Sequence, residues 1–275
     1  MNKKVSVIIL NYNSWKDTLN EIDICSKILN IPYKDIIVVD NASPNDSAIM
    51  LLAESKTKNY IYLQSQENKG YAYGNNIGMR YAYMNGYDYA LILNNDIIIS
   101  DTDLINKLLD VFSKNDKIAV VNTDIYSPNG KMFNRDAKRQ TFFDYTIGAF
   151  AYKKKGRLIH DLGGYAYIYR PQGCCMMVDL SKMNDINYMD EKTFLYYEEP
   201  ILAERLLKKD YRCALCTSSK IIHNHSNTVK SVFDRKKRIK IINTSFRYYL
   251  EEYRSFNKIQ ISICLLFNYI KWLME

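Results

Sequence analysis

Three short apolar runs in the first hundred residues each end in a cluster of Asn, Asp and Ser. Residues 5–10 run into Asn11-Tyr12-Asn13, residues 36–39 into Asp40-Asn41-Ala42-Ser43, and residues 89–93 into Asn94-Asn95-Asp96. Carboxylates and amides accept hydrogen bonds, and carboxylates bind hard cations. An ionised carboxylate only accepts, so Asp40, at the end of a fully apolar run, suits a partner that donates. A single cluster of this kind is ordinary turn chemistry, and Asp40 alone could cap a helix beginning near Asp46. Three in succession point to a binding edge. Further along comes Glu198-Glu199-Pro200. Proline favours the first helical position, which places Glu199 at or beside the N-cap, where the macrodipole favours its ionised form. A carboxylate so placed can take a proton from a hydroxyl as a bond forms; helix-end stabilisation is the plainer alternative.

Two weaker patterns accompany these. Gly70, Gly74 and Gly78 recur at spacing four after Asn68, with Asn75 and Asn76 between them. No Gly-Lys-Ser/Thr follows, and the pattern is not a dinucleotide fingerprint. Small residues would let the backbone approach a phosphorylated ligand; a glycine-rich helix start reads equally well. His223 and His225 alternate around Asn224, so in an extended segment both lie on one face. Cys213 and Cys216 form a CxxC ahead of them, but the spacing to the histidines departs from zinc-finger geometry and core thiols are preferred.

The elements that must position these residues follow from hydrophobic periodicity. Strands are expected at 5–10, 36–39, 60–63, 89–93 and 118–121, and helices at 15–29, 47–55, 73–84 and 104–112. This alternation gives βαβ units and a mainly parallel sheet, in which ligands bind at the carboxyl ends of strands. Residues 123–163 lack a clear period and suggest a lid or acceptor-facing region. Strands at 165–169, 174–178, 212–215 and 220–222 follow, with a helix at 199–208 and a basic helix over 234–253.

A chain of 275 residues with 47% hydrophobic and 25% charged residues can bury a full core without disulfides. Low-complexity and disordered classes are excluded. The net charge is +8, and residues 229–275 hold ten Lys/Arg against four Asp/Glu, so +6 of it sits in the tail. The remainder is near neutral, which argues against a nucleic-acid binder. Six cysteines without a framework read as reduced thiols. The N-terminal apolar run is short for a signal sequence, and no stretch reaches the roughly 18 apolar residues of a membrane span. A cytoplasmic protein is therefore expected.

Taken in order, VSVIILNYN (5–13), IIVVDNAS (36–43), NKGYAYGNN (68–76), LILNND (91–96), YYEEPILAERLLKKDY (196–211) and IIHNHS (221–226) resemble the family-2 glycosyltransferases of GT-A type. The similarity is strongest to rhamnosyltransferase-like members that build bacterial capsule, O-antigen and cell-wall polysaccharides. It covers roughly residues 4–226. The resemblance implies a GT-A catalytic domain over 1–228, with a nucleotide-sugar half (1–122) and an acceptor and catalytic half (123–228). It implies inverting transfer from dTDP-rhamnose or a UDP-hexose to a saccharide, lipid-linked acceptors included.

The resemblance also assigns residues. Asp96 falls on the family's DxD metal ligand, with Mg²⁺ or Mn²⁺ as cofactor, and Asn94 replaces the first carboxylate and adds no charge. Asp40 would accept from the pyrimidine N–H, with Asn41 and Ser43 lining the pocket. The same donor-binding region takes in Asn11, Asn13, Asn68, Gly70, Asn75, Asn76, Asn94 and Asn95. Glu199 matches the second residue of a Glu-Asp pair and would be the base, with Glu198 beside it. His223 would lie near the metal or diphosphate, and His225 matches less securely.

Residues 229–275 form a basic, aromatic, amphipathic tail. Arg235–Arg238 and Lys240 precede Tyr248, Tyr249, Tyr253 and Phe256 and an apolar stretch over 259–274. Such a tail can lie on an anionic membrane surface, or pack its apolar side on the domain or on a second subunit. Two other functions stay open. A sugar-phosphate nucleotidyltransferase would carry a Gly-rich, Arg-containing first loop, which Asn11-Tyr12-Asn13 lacks. A non-catalytic polysaccharide or nucleic-acid module would bind through the basic tail.

Overall fold

A computed structural model describes residues 3–149, 158–224 and 235–274. One nine-stranded sheet runs through it in the order β3-β2-β1-β4-β8-β6-β9-β5, with β7 also on β9. The first half alternates as the periodicity predicts: β1 (Val5–Asn11), α1 (Trp15–Ile28), β2 (Ile36–Asp40), α2 (Ser47–Lys58), β3 (Ile61–Gln64), α3 (Tyr71–Met84) and β4 (Tyr89–Leu93). After the short β5 (Ile97–Ile98) come α4 (Leu104–Lys114), β6 (Ile118–Tyr126) and α5 (Phe142–Tyr145). Then follow β7 (Tyr165–Ile168), β8 (Cys175–Asp179), α6 (Leu180–Asp185), α7 (Glu198–Lys208) and β9 (Arg212–His223). The chain ends in α8 (Arg235–Tyr248), a π-helical turn (Tyr249–Tyr253) and α9 (Lys258–Met274).

β1, β2, β3 and β4 are parallel, as are β6 and β9. β8 lies antiparallel between β4 and β6, so β6 and β9 point the same way as β1. β5 and β7 run antiparallel to β9. The parallel expectation therefore holds for the main strands, and antiparallel insertions join the two halves. The carboxyl ends of β1, β2, β4 and β9 and the start of β8 all meet at one sheet edge.

The strands are continuous apolar runs because both faces are covered. Alternate residues face opposite ways: Val7, Ile9, Val38 and Leu91 pack with Ile22, Leu51 and Leu108, while Ile8, Val39 and Ile92 pack with Met79, Met183 and Leu202. Gly74 and Gly78 bring α3 down onto the sheet. A Cβ at either would stand 2.4 Å from Leu10 or 2.6 Å from Ile8. Their spacing is thus a packing pattern, one side of a helix.

The structure moves several expected boundaries. β9 is one strand rather than two, because it bulges at residues 217–219 while its partner β6 runs on from Thr123 to Asp124, so that pairing resumes at Lys220. The expected tail helix over 234–253 is interrupted: α8 ends at Tyr248 and the backbone widens into the π turn. α7 begins at Glu198, with Tyr197 as its N-cap at φ 68°, so Pro200 takes the third helical position and not the first. All six thiols are free and buried. Among the described residues no helix is long and apolar enough to cross a membrane.

The tail packs on the domain. Phe246, Tyr249, Leu250, Ile261 and Cys264 share a small core with Tyr145 and with Ile201 of α7. Beside it, Glu204 of α7 accepts two bonds from Arg139 at 2.7 Å and one from Tyr169 at 2.6 Å. Arg254 lies 3.5 Å from the same carboxylate and donates to Tyr249 and to the carbonyl of Gln140.

Candidate active site

The edge defined by the strand ends gathers most of the sequence-identified residues. Asp40, at the end of β2, is fully enclosed. It accepts from Asn11 Nδ2 at 2.7 Å, from Ser43 Oγ at 2.6 Å and from Ser43 N at 3.1 Å. Asn13 N donates to Ser43 Oγ, and Asn41 N to Asn11 O, both at 2.9 Å. Asp40 thus fixes the β1 and β2 loops against one another and does not cap α2, whose N-cap is Asp46. Asn41 Nδ2 reaches Asn68 Oδ1 at 3.0 Å and Gly70 O at 3.1 Å, adding the loop before α3. Two amide oxygens in this cluster, Asn13 Oδ1 and Asn41 Oδ1, are buried without an internal donor. Such acceptors are costly unless something donates to them.

Gly70 has φ +103°, and a Cβ there would sit 1.8 Å from the carbonyl oxygen of Phe194. Only glycine fits a positive φ against so close a neighbour. Tyr71 N donates to that carbonyl at 3.1 Å. Asn75 and Asn76 are fully buried. Asn75 donates to Tyr71 O within its own helix. Asn76 braces the 189–191 segment through Met189 O, Met189 N and Glu191 Oε1. Asn75 Oδ1, like the oxygens of Asn13 and Asn41, is buried without an internal donor.

Past β4, Asn94 N donates to Cys174 O at 2.9 Å. Asn95 Nδ2 turns back to Ser14 Oγ and Thr18 Oγ1, both at 2.8 Å, tying the loop to α1. β5 pairs with the end of β9, matching Ile97 with His223. That register sets Asp96 Oδ1 3.1 Å from His223 Nε2, with side-chain exposures of 10% and 12%. Asn224 N also donates to Asp96 O at 2.9 Å. His225 lies outside the described residues.

A carboxylate oxygen and an imidazole nitrogen 3.1 Å apart form a mixed donor pair of a kind that suits Mn²⁺ as well as Mg²⁺. Among the described residues no group of three or more His, Cys, Asp or Glu could enclose a metal. The pair therefore fits a cation that leaves its remaining positions to a ligand's oxygens, and does not fit a closed structural centre.

Glu199 stands at the second position of α7. Its Oε1 accepts from Gly173 N at 3.2 Å and Gln172 Nε2 at 3.3 Å, both in the turn ahead of β8. Residues 172–174 therefore touch Glu199 on one side and the loop that carries Asp96 on the other: Gly173 N donates to Glu199, and Cys174 O accepts from Asn94 N. The charges of Asp96 and Glu199 both add to the burial that pushes the Cys174 thiol well up. Both carboxylates thus lie within electrostatic reach of Cys174. Glu198 points inward, and burial, reinforced by Glu199, raises it to about 8.

Glu21, Gln172 and Tyr71 were not singled out from sequence. Glu21 is 1% exposed on the sheet-facing side of α1, and burial and the neighbouring charge of Asp96 raise its carboxyl to about 9. A signal existed: it shares its helix face with Thr18, Ile22 and Cys25. Tyr71 donates to Gly173 O at 2.6 Å and stiffens the same turn.

Residues 6–177, more than half of the chain, match the family model for glycosyl transferase family 2. The low-salt glycan biosynthesis hexosyltransferase Agl10 of Haloferax volcanii is 27% identical over 225 residues, covering 80% of this chain and 67% of that protein. GalNAc-T7, solved with UDP, GalNAc and Mn²⁺, aligns over 92% of this chain and 49% of its own at TM-score 0.66 and 14% identity. The mannosyltransferase PcManGT of Pyrobaculum calidifontis, solved with GDP-Man and Mn²⁺, aligns over 92% and 65% at TM-score 0.60 and 12% identity. The chain thus spans about half to two thirds of these proteins, and the architecture shared with the two solved structures is the GT-A fold. With the family model matched over more than half of its length, this chain belongs to glycosyl transferase family 2.

Proposed function

We propose that the chain transfers a sugar from a nucleotide diphosphate donor, a UDP-hexose or dTDP-rhamnose, to a saccharide hydroxyl with inversion at the anomeric carbon. The observation that carries this reading is the 172–174 turn, which contacts Glu199 on one side and the Asp96 loop on the other. Inverting displacement needs a base and a leaving-group site on opposite sides of one carbon. In the proposed step Glu199 accepts the proton of the acceptor hydroxyl as its oxygen bonds to the anomeric carbon. The bond from that carbon to the diphosphate breaks, and the diphosphate leaves with the electron pair. Asp96 and His223 would hold a divalent cation, which when bound supplies charge neutralisation for the diphosphate. The unsatisfied oxygens of Asn13 and Asn41 would accept from base or ribose donors, with Asp40 and Ser43 fixing their loops.

The named relative acts in glycan biosynthesis, which supports a role in building a surface polysaccharide such as capsule or O-antigen. The tail supports peripheral contact with a membrane that carries a lipid-linked acceptor. α9 exposes Ile259, Leu266, Ile270 and Leu273 at helical spacing, and α8 beside it is basic. A thermal-shift screen of nucleotide-sugars with and without Mn²⁺ tests the reading, because a ligand of the native state raises Tm by mass action. One donor should stabilise the chain more with Mn²⁺ than without it. Stabilisation by nucleoside triphosphates with pyrophosphate release would replace the transferase by a nucleotidyltransferase.

A further inference from the structure

The lysines of the tail do not all face away from the domain. Lys236, Lys237 and Lys240 of α8 and Lys192 of the 192–194 segment line one cavity of about 770 Å³. Its remaining walls are Phe194, Ile241, Thr244, Ser245 and Tyr248. That volume lies within the range of sites for small molecules. The lining contains four ammonium groups and no carboxylate. The nearby Asp190 lies outside this lining and accepts hydrogen bonds from Tyr248 and Tyr253. Like charges a helical turn apart, as at Lys236 and Lys240, repel one another, so this arrangement favours a multiply charged anion. Phe194, Ile241 and Tyr248 add an apolar wall beside the cations. Phe194 is 37% exposed although it is aromatic, and Lys192 lies 5.8 Å over the Tyr248 ring.

The position of the cavity connects it to the reacting centre. Ser245 donates to Leu195 O at 2.9 Å, which fastens α8 to the segment leading into Glu198 and Glu199. The Phe194 carbonyl meets Gly70 and Tyr71 on the other side. The cavity therefore opens off the chain that carries the proposed base, apart from the Asp96 and His223 pair. We propose that it binds the diphosphate of a lipid-linked acceptor, with the lysines on the phosphates and the Phe194, Ile241 and Tyr248 wall along the start of the lipid chain. The proposal rests on the transferase reading and adds the acceptor's anchoring group to it. The exposed apolar stripe of α9, on the helix packed against α8, would receive the rest of the chain at the membrane surface.

The test titrates the full chain by calorimetry with farnesyl diphosphate, inorganic pyrophosphate and UDP, and measures sedimentation with phosphatidylglycerol vesicles. It compares the wild type with the triple variant Lys192→Gln, Lys236→Gln, Lys240→Gln and with Phe194→Ala. The triple variant should bind farnesyl diphosphate and pyrophosphate at least about tenfold more weakly, with UDP affinity unchanged. Phe194→Ala, a change at an exposed side chain, should weaken farnesyl diphosphate and spare pyrophosphate. Unchanged farnesyl diphosphate binding in both variants would overturn the proposal. So would a parallel loss of UDP affinity, which would assign the lysines to the donor. Loss of vesicle binding alone would assign them to a membrane patch and overturn the groove. If the wild type binds farnesyl diphosphate but no nucleotide or nucleotide-sugar, the groove stands and the transferase reading fails.

Discussion

Two acidic pairs border the 172–174 turn, and each couples one buried carboxyl to one at the site. In the first, Glu21 of α1 lies behind Asp96; in the second, Glu198 lies beside Glu199 at the start of α7. Burial is the larger cause in both, and the neighbouring charge adds to it, raising Glu21 to about 9 and Glu198 to about 8. Where two carboxyls are close, one takes the proton and the other keeps the charge. The pairs differ in what surrounds them. Glu21 gains a backbone N–H from Ile97 against the burial. Glu198 has its own backbone and that of Tyr196, at a helix start where the dipole favours anions. The first pair sets Asp96 against His223, and the second sets Glu199 against Gly173.

The proposed base falls in one pair and the proposed cation site in the other, and substitutions can break that division. Glu199→Gln should reduce transfer by about 10²- to 10⁴-fold while donor affinity persists; undiminished turnover in a coupled assay would remove the base from this pair. Asp96→Asn should cost about 10²-fold in rate and abolish the extra thermal stabilisation that Mn²⁺ gives with UDP. Retained Mn²⁺ dependence would move the cation elsewhere.

The buried members give smaller effects of opposite kind. Each holds a proton in the folded chain at pH values where the unfolded chain has lost it. Their stabilising contribution is complete below about pH 4.5 and is lost as pH rises through about 8 for Glu198 and about 9 for Glu21. Glu21→Gln and Glu198→Gln cannot titrate, so each should flatten the decline of Tm between pH 5 and 9, Glu21→Gln over the wider interval. A variant curve parallel to the wild type would show that the buried acid is already ionised at neutral pH. Smallest of all, Glu21→Gln should change turnover at pH 7 by less than about twofold, because the amide resembles the neutral acid it replaces.

Much of this edge was legible because apolar runs ending in Asn and Asp leave little choice: a strand buried on both faces must be apolar, and its end must turn. Asn11, Asp40 and Asp96 could therefore be placed at strand ends by position, and Glu199 in the first turn of its helix, deeper than the proline suggested. What escaped detection depends on contacts between distant segments. Glu21 reads as an ordinary polar helix residue until β4 and β5 are laid against α1. Gly74 and Gly78 look like a ligand loop, and only the approach of Leu10 and Ile8 shows them to be packing residues. The bulge at residues 217–219, across which β9 continues as a single strand, leaves no periodicity to read. The tail's amphipathic pattern allowed packing or membrane contact alike; Tyr145 and Ile201 decided the inner side, and residues more than forty positions away cannot announce that contact.

The hold of Glu204 on Arg139, Tyr169 and Arg254 has a consequence for the other end of its helix. Glu204 and Glu199 ride on the same rigid rod, five residues apart, one clamped by the final segment of the chain and the other pointing at the proposed chemistry. Removing the last forty residues would therefore do more than trim an appendage. It would free the rear of the rod and let its working tip wander, so that an enzyme with every site residue intact could lose aim rather than reactivity.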